Sequence, residues 1–223
     1  MKKALFFHFL KGILAGLAIG LGGFLFLLMK YLLPNELGTV LGSLLFAVGL
    51  FTVCSCSLSL YTGKVGLIYE KKQDLTFYIS LPIMLIGNAI GAIGLGYLCY
   101  FVFKGNEGFL KVAIEATKSR LLFDTFYDFL SCAVKSLLCG ICVYLAVKSF
   151  AYKKISLIGT GLLVLFVFIF VYSGFQHCIA NMYYFSFANA WGLNAFFNLL
   201  LCILFNSIGP VFGVLLVKAL SAK

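Results

Sequence analysis

The stretch that decides the fold is SGFQHCIANMYY, residues 173–184. It holds one of the chain's two histidines, yet it lies in a region, residues 155–189, whose other residues are typical of a membrane-buried helix. A polar side chain in hydrocarbon is costly without partners, so His177 predicts a functional site. The structural alternative is a core histidine that hydrogen-bonds a carbonyl where the helix is interrupted.

The composition predicts an all-α, polytopic membrane protein. The 223 residues are 63% hydrophobic and 11% charged, whereas a soluble domain carries about 25% charged residues. No polar stretch is long enough for a soluble domain, so residues 1–223 are predicted to form a single transmembrane domain. The net charge of +10 is interpreted as a topology signal that also suits anionic lipid, and it gives no reason to expect nucleic acid as a partner.

Apolar runs of about 20 residues span a bilayer as helix, and the chain has six regions that contain one. A polar segment at 104–125 separates the third from the fourth and suits an amphipathic surface helix. The six predicted crossings are residues 12–33, 38–70, 75–103, 126–150, 155–189 and 193–217.

The distribution of Lys and Arg predicts the orientation, because cytoplasmic loops are enriched in both. The bias favours both termini in the cytoplasm and a location in the cell (plasma or inner) membrane. The cations counted inside are Lys2, Lys3, Lys11, Lys71, Lys72, Lys148, Lys153, Lys154, Lys218 and Lys223, and those counted outside are Lys30, Lys104, Lys111, Lys118 and Arg120.

Two of the six regions are longer than one crossing requires and are interrupted by small and polar residues, at 54–66 and 172–184. Such a pair in matching positions of two halves is the sequence pattern of a transport site. The halves, about 12–103 and 126–218, each hold three crossings, so the second half is inverted relative to the first. The sequence therefore predicts six transmembrane helices in an inverted repeat with two broken helices.

The motifs resemble those of the formate/nitrite transporter family. SGFQHCIANMYY is similar to the fifth-helix signature of that family, and GSLLFAVGLFTVCSCSLSLYTGKVG (42–66) to the second-helix signature. LIGNAIGAI (85–93), LLCGICVYLAV (137–147) and KGILAGLAIGLGGFLFL (11–27) resemble its third-, fourth- and first-helix elements. The match extends over nearly the whole chain in the same order.

The resemblance implies an aquaporin-like homopentamer in which each protomer has a pore for small monovalent anions such as formate, nitrite or hydrosulfide. By matching position, His177 is the central pore histidine, Thr62 its hydrogen-bonding neighbour and Asn181 the asparagine of the helix break. The apolar rings above and below the histidine correspond to Phe46, Leu50, Leu60 and Phe170.

Three departures from the family pattern affect the expected substrate more than the fold. Gln176 stands where the family usually has Glu, and Pro210 is interpreted as replacing the asparagine of the sixth helix. Where many members have an anion-gathering Lys, the spacing leads to Asp124, with Lys118 or Arg120 as alternatives.

The mechanism expected from these residues is passage of the anion together with a proton. A narrow apolar constriction removes water and thereby favours the neutral acid. His177 either relays the proton or holds the anion by hydrogen bonding, and the sequence leaves both open.

Other functional classes fit the sequence less well. A water or small-solute channel of similar fold would carry two Asn-Pro-Ala boxes, which are absent, and a non-transporting scaffold would not need paired polar breaks at mid-membrane. No acid–base pair predicts an enzyme. The CGIC motif at 139–142 lies within an apolar run, so no metal or cofactor is expected.

Overall fold

The computed structural model describes residues 1–153 and 156–221, and these residues form helices and connecting segments, with no strand among them. Lys154 and Lys223, both counted as cytoplasmic above, lie outside the described residues. The helices are α1 (Lys2–Leu32), α2 (Glu36–Ser55), α3 (Tyr61–Lys64), α4 (Leu67–Glu70), α5 (Leu75–Phe103), α6 (Glu107–Lys118), α7 (Phe126–Lys153), α8 (Leu157–Tyr172), α9 (Cys178–Phe187) and α10 (Leu193–Ser221).

Five of the described helices, α1, α2, α5, α7 and α10, are long and apolar enough to cross a membrane. Helix α8 is equally apolar but has only 16 residues. The first helix begins at Lys2 rather than at residue 12 as expected, because residues 4–10 are mostly apolar and continue the helix. The polar segment forms amphipathic helix α6, which buries Phe109, Ala113 and Thr117.

Helices pack closely where glycine allows backbones to approach, as small residues do in membrane proteins. Helix α1 packs on α2 and α5, α7 packs on α8 and α10, and α9 packs on α5. A Cβ atom at Gly16 would collide with the backbone of Asn88 in α5, and one at Gly209 would collide with the backbone of Leu137 in α7. A Cβ atom at Gly140 in α7 would likewise collide with the backbone of Asn206 in α10, so the α1–α5 and α7–α10 pairs share this close contact.

The segments after α2 and after α8 leave the helix in the same way. In each, a residue in the left-handed region, Ser57 (φ 50°) or Gly174 (φ 67°), follows the helix cap. The next amide donates to a carbonyl five residues back, Leu58 N to Val53 O and Phe175 N to Phe170 O, both at 2.9 Å. This is the Schellman pattern, which ends a helix by satisfying its last carbonyls. Helices α3 and α9 begin after these two segments.

Candidate functional site: a histidine cavity between two vestibules

The segment between α2 and α3 is held by the side chain of Asn88 in α5. Its Oδ1 accepts a hydrogen bond from Tyr61 N (2.8 Å), and its Nδ2 donates to Ser59 O (2.9 Å) and Gly12 O (2.9 Å). Asn88 is fully buried. One amide side chain thus satisfies the carbonyl that precedes Leu60 and the amide that follows it, which fixes Leu60 at the start of α3.

Asn206 in α10 holds the segment between α8 and α9 in the same manner. Its Oδ1 accepts from Cys178 N (2.9 Å), and its Nδ2 donates to Gln176 O (2.9 Å) and Ser136 O (2.7 Å). His177 therefore has the same position in this segment that Leu60 has in the other.

The interpretation of Pro210 as the replaced sixth-helix asparagine is wrong. Asn206 makes the same three kinds of bond as Asn88. Pro210 lies one turn further along α10, where it packs close to Gly66. In sequence, FNS at 205–207 pairs with GNA at 87–89, so Pro210 pairs with Ala92. The polar half of the repeat is intact.

His177 caps helix α9 and is only 3% exposed. Its Nδ1 accepts a hydrogen bond from Ala180 N (3.2 Å), and its Nε2 lies 2.8 Å from Thr62 Oγ1. Because Nδ1 accepts from a backbone amide, the neutral imidazole carries its hydrogen on Nε2 and donates it to the Thr62 hydroxyl. A second proton, on Nδ1, would have to break the cap of α9.

His177 lines a small space, here called the histidine cavity. Its volume is about 20 Å³, which is close to the space that one water molecule needs. The Phe170 ring stacks on the imidazole with centroids 6.0 Å apart and meets Phe46 edge-on at 5.6 Å. The lining residues are Phe26, Phe46, Arg120, Phe170, Val171, Phe175, His177, Ala180, Asn181 and Tyr184.

The cation of the histidine cavity is Arg120, in the segment after α6. Its Nε donates to Asn181 Oδ1 (3.0 Å), its Nη1 donates to Ala116 O, and its guanidinium lies 5.0 Å from the centre of the Tyr184 ring. Burial lowers the pKa of the Arg120 guanidinium from its ordinary value, but arginine remains charged at neutral pH. A fixed positive charge thus stands at the cavity.

A network of neutral amides continues from Arg120. The Asn181 Nδ2 group donates to Gln176 Oε1 (3.0 Å) and Asn198 Oδ1 (2.8 Å). The Asn198 Nδ2 group donates to Gln176 Oε1 as well, at 2.6 Å. The network holds Asn181 with its Oδ1 toward Arg120, and it gives Gln176 buried donors that satisfy its carbonyl oxygen.

Two larger spaces lie toward opposite ends of α7. The first, called the Lys64 vestibule, has a volume of about 460 Å³. The second, called the Lys135 vestibule, has a volume of about 160 Å³. Val147 lines the first and Cys132 the second, which places the two spaces about 22 Å apart along the helix at 1.5 Å per residue.

Each vestibule has a lysine on its wall, Lys64 in one and Lys135 in the other. Among the described residues that line these spaces, Arg120 alone borders both the Lys135 vestibule and the histidine cavity. Leu60 lines the Lys64 vestibule, two residues before Thr62, which bonds His177. The order of spaces is therefore Lys135 vestibule, Arg120, histidine cavity, the Thr62–Leu60 segment and Lys64 vestibule.

Comparison with known proteins gives the family. The family model described as Formate/nitrite transporter matches residues 1–220. The chain belongs to the formate/nitrite transporter family. It is 26% identical over 196 residues to Formate channel FocB of Escherichia coli (strain K12) and equally to Formate channel FocA of Haemophilus influenzae (strain ATCC 51907 / DSM 11121 / KW20 / Rd). Each match covers 82% of this chain but only 66% of the relative.

Solved structures agree with this assignment. A structure titled "Pentameric formate channel with formate bound" superposes with a TM-score of 0.81 and 25% identity over 100% of both chains. A second, titled "FNT family ion channel", has a TM-score of 0.77 and 21% identity, with 100% of this chain and 92% of the other covered. The relatives are named as channels, not as enzymes.

Most of the residues that the transporter-family signatures indicate meet in the structure. Thr62 bonds His177, while Phe46, Phe170 and Asn181 line the histidine cavity. Leu60 lines the Lys64 vestibule and not the histidine cavity. Leu50 is buried in the core and lines neither the cavity nor the vestibules.

Of the three candidates for the position of the family's anion-gathering lysine, only Arg120 lines the histidine cavity. Asp124 is exposed, and Lys118 is exposed and paired with Glu115 at 2.6 Å. Sequence reasoning did not find Asn198 or Asn206 as residues that hold the site. The signal for Asn206 was present in the FNS–GNA pairing, but Asn198 follows no motif and comes close only through folding.

Proposed function

We propose that the protein transports small monovalent anions such as formate, nitrite or hydrosulfide, together with a proton, through a pore in each protomer. The observation that supports this most is the order of spaces: two vestibules, each with a lysine, on either side of a histidine cavity bordered by Arg120. Cations at the entrances raise the local concentration of anions, and the cavity admits a solute of only a few atoms.

The transmembrane arrangement proposed is six crossings with both termini in the cytoplasm. Five are the long helices, and the sixth combines α8 and α9. Helix α8 alone, with 16 residues, reaches about 24 Å, which is less than the hydrocarbon thickness of about 30 Å. Helix α9 adds 10 residues beyond the interruption. The equivalent roles of Asn88 and Asn206 support an inverted repeat with one interruption in each half.

The proposed path begins in the Lys135 vestibule, where Lys135 and Arg120 attract the anion. Arg120 then directs the anion into the histidine cavity, whose phenylalanine walls exclude water. The positive charge of Arg120 favours the anion, but past Arg120 the loss of water raises the pKa of a weak acid, so formate or nitrite takes up a proton there from vestibule water. The neutral acid then passes Leu60 into the Lys64 vestibule, and the reverse order applies to export.

The role proposed for His177 is hydrogen bonding rather than proton relay. Its Nδ1 is occupied by Ala180 N, and its Nε2–H points to Thr62. If the neutral ring gave up its Nε2 proton it would become an imidazolate, and if it took a second proton it would lose the helix cap. Donation of a hydrogen bond from Nε2 or from the Thr62 hydroxyl to the passing solute requires neither change.

The assembly proposed is a homopentamer in the lipid bilayer. Support comes from the solved relative described as pentameric and from the apolar side chains that each protomer exposes. These side chains suit lipid on one side and neighbouring protomers on another. On α1 they are Phe6, Phe7, Leu10, Leu14, Leu17, Leu21 and Leu32.

The proposal is tested by solute flux into proteoliposomes that contain a pH-sensitive dye. Formate, nitrite or hydrosulfide should enter and acidify the interior, whereas water and glycerol permeability should remain at the level of empty liposomes. Water or glycerol flux without anion flux would identify a neutral-solute channel instead. Anion entry without acidification would contradict the accompanying proton.

The contribution of Arg120 is tested with Arg120→Gln beside the matched variant Lys118→Gln. A hydrogen bond from a charged group contributes about 1.5–3 kcal/mol. If Arg120 donates such a bond to the anion, Arg120→Gln should lower formate uptake at least about tenfold. Lys118 is exposed and lines none of the three spaces, so its replacement should leave uptake nearly unchanged. Equal uptake by the two variants would remove Arg120 from the path.

A further inference from the structure

Two cysteines from different helices meet beside the histidine cavity. Cys132 in α7 and Cys202 in α10 are both buried. Asn198 Nδ2 donates to Cys132 Sγ (3.6 Å), and Cys202 Sγ donates to Asn198 Oδ1 (3.4 Å). Both sulfur atoms thus contact the two ends of one amide group, that of Asn198, where α7 packs on α10.

One thiol of this pair can be reached from the proposed path. Cys132 lines the Lys135 vestibule together with Arg120, Lys135 and Gln176. A solute of a few atoms that enters this space, or a small reagent, comes into contact with the Cys132 side of the pair. The other buried cysteines of α7, Cys139 and Cys142, line none of the three spaces.

The other thiol belongs to the amide network that holds the site. Cys202 Sγ lies 3.6 Å from Gln176 Oε1 and 3.5 Å from Asn181 Nδ2, and it accepts a hydrogen bond from Ser136 Oγ at 3.1 Å. Asn181 in turn accepts from Arg120. A chemical change at Cys202 therefore acts on the groups that orient the cation of the histidine cavity.

We propose that Cys132 and Cys202 form a reversible intramolecular disulfide that reduces transport. The reaction breaks two S–H bonds and forms one S–S bond, and it releases two protons and two electrons to an oxidant that enters the vestibule, such as a diazenedicarboxamide or a low-molecular-weight disulfide. This regulation rests on the proposed function, since it acts on the same path.

The effect on transport follows from the geometry of the bond. An S–S bond is about 2.05 Å long, so both sulfurs must move toward each other and away from the Asn198 amide. The thiol hydrogen of Cys202, which faces Asn198 Oδ1 and Gln176 Oε1, is lost. Gln176 and Asn181 each lose one partner, so Asn181 Oδ1, which accepts from Arg120, is held less firmly. Loss of one hydrogen bond corresponds to about fivefold in an equilibrium or rate, and we expect anion flux to fall by at least about that factor.

The experiment uses the full-length protein in proteoliposomes. Samples are treated with diamide, which accepts the two electrons and two protons, and remaining thiols are blocked with N-ethylmaleimide. Peptide mass spectrometry measures the Cys132–Cys202 disulfide, and formate flux is measured before oxidation, after it and after dithiothreitol. Cys132→Ser and Cys202→Ser remove the pair, and Cys139→Ser is the matched control because Cys139 is equally buried in α7.

The expected result is a Cys132–Cys202 disulfide and a flux loss that dithiothreitol reverses, in wild type and Cys139→Ser but in neither pair variant. Absence of the disulfide after oxidation would overturn the proposal. A disulfide without a change in flux, or an equal flux loss in Cys132→Ser, would also overturn it. Absence of anion flux before oxidation would contradict the proposed function instead, while the peptide measurement would still decide whether the pair forms.

Discussion

Replacement of Asn206 by alanine should destabilise the protein more than its size suggests, because this side chain satisfies three backbone groups at once. Asn206→Ala removes bonds of 2.9, 2.7 and 2.9 Å to Cys178 N, Ser136 O and Gln176 O. Ser136 O lies inside α7, where a helical bond still satisfies it. Cys178 N and Gln176 O lose their partners, and both residues are buried.

The magnitude follows from these two groups. A buried polar group left without a partner costs about 1–3 kcal/mol, so the variant should lose about 2–6 kcal/mol of stability. Hydrogen bonds between membrane helices average about 0.6 kcal/mol in double-mutant cycles, and three of them give a lower limit of about 2 kcal/mol. For a chain of this size, each kcal/mol lowers the melting temperature by about 2–4 °C, which predicts a loss of at least about 4 °C.

The assay is thermal unfolding of the purified protein in mild detergent, followed with a thiol-reactive fluorogenic dye that reports exposure of the buried cysteines. Asn88→Ala should lose a similar amount, since Asn88 makes the equivalent bonds. The control is Asn194→Ala, because Asn194 is exposed and makes one bond to Leu121 O. If Asn206→Ala melts no lower than Asn194→Ala, the side chain does not hold the segment before α9 and the reasoning fails.

The remaining predictions concern the path itself. Leu60→Ala should speed uptake of small anions and weaken selectivity, because a smaller side chain widens the exit into the Lys64 vestibule and lowers the desolvation penalty; unchanged flux at equal surface expression would mean that Leu60 does not face the path. His177→Asn should fold and assemble, and the lost hydrogen bond should lower formate flux about fivefold. The pH profile of its flux between about pH 5 and 8 should match that of wild type. Loss of the pH dependence would show that His177 relays the proton. His177→Phe should abolish most flux, because it leaves Thr62 and the amide of Ala180 facing an apolar ring.

The sequence by itself determined the features that depend on neighbouring residues. Long apolar runs predicted the five long helices and apolar α8, and the polar segment 104–125 predicted an amphipathic helix, which the structure has as α6. The polar residues within 54–66 and 172–184 predicted where two helices end. In the structure, Ser57 and Gly174 adopt positive φ directly after the caps of α2 and α8. A histidine in such a segment is informative without any structure, because its cost in hydrocarbon requires a partner.

Only the tertiary structure decided how these segments are joined. Three features depend on contacts between residues far apart in the chain. They are the position of Arg120 at the histidine cavity, the bonds of Asn206, and the contact of Cys132 and Cys202 with one amide. Local patterns carry no information on which side chains meet across helix pairs. The position of α10 along α7 is set by glycine contacts such as that of Gly209 with Leu137. One helical turn separates Asn206, which holds the site, from Pro210, which only packs beside it.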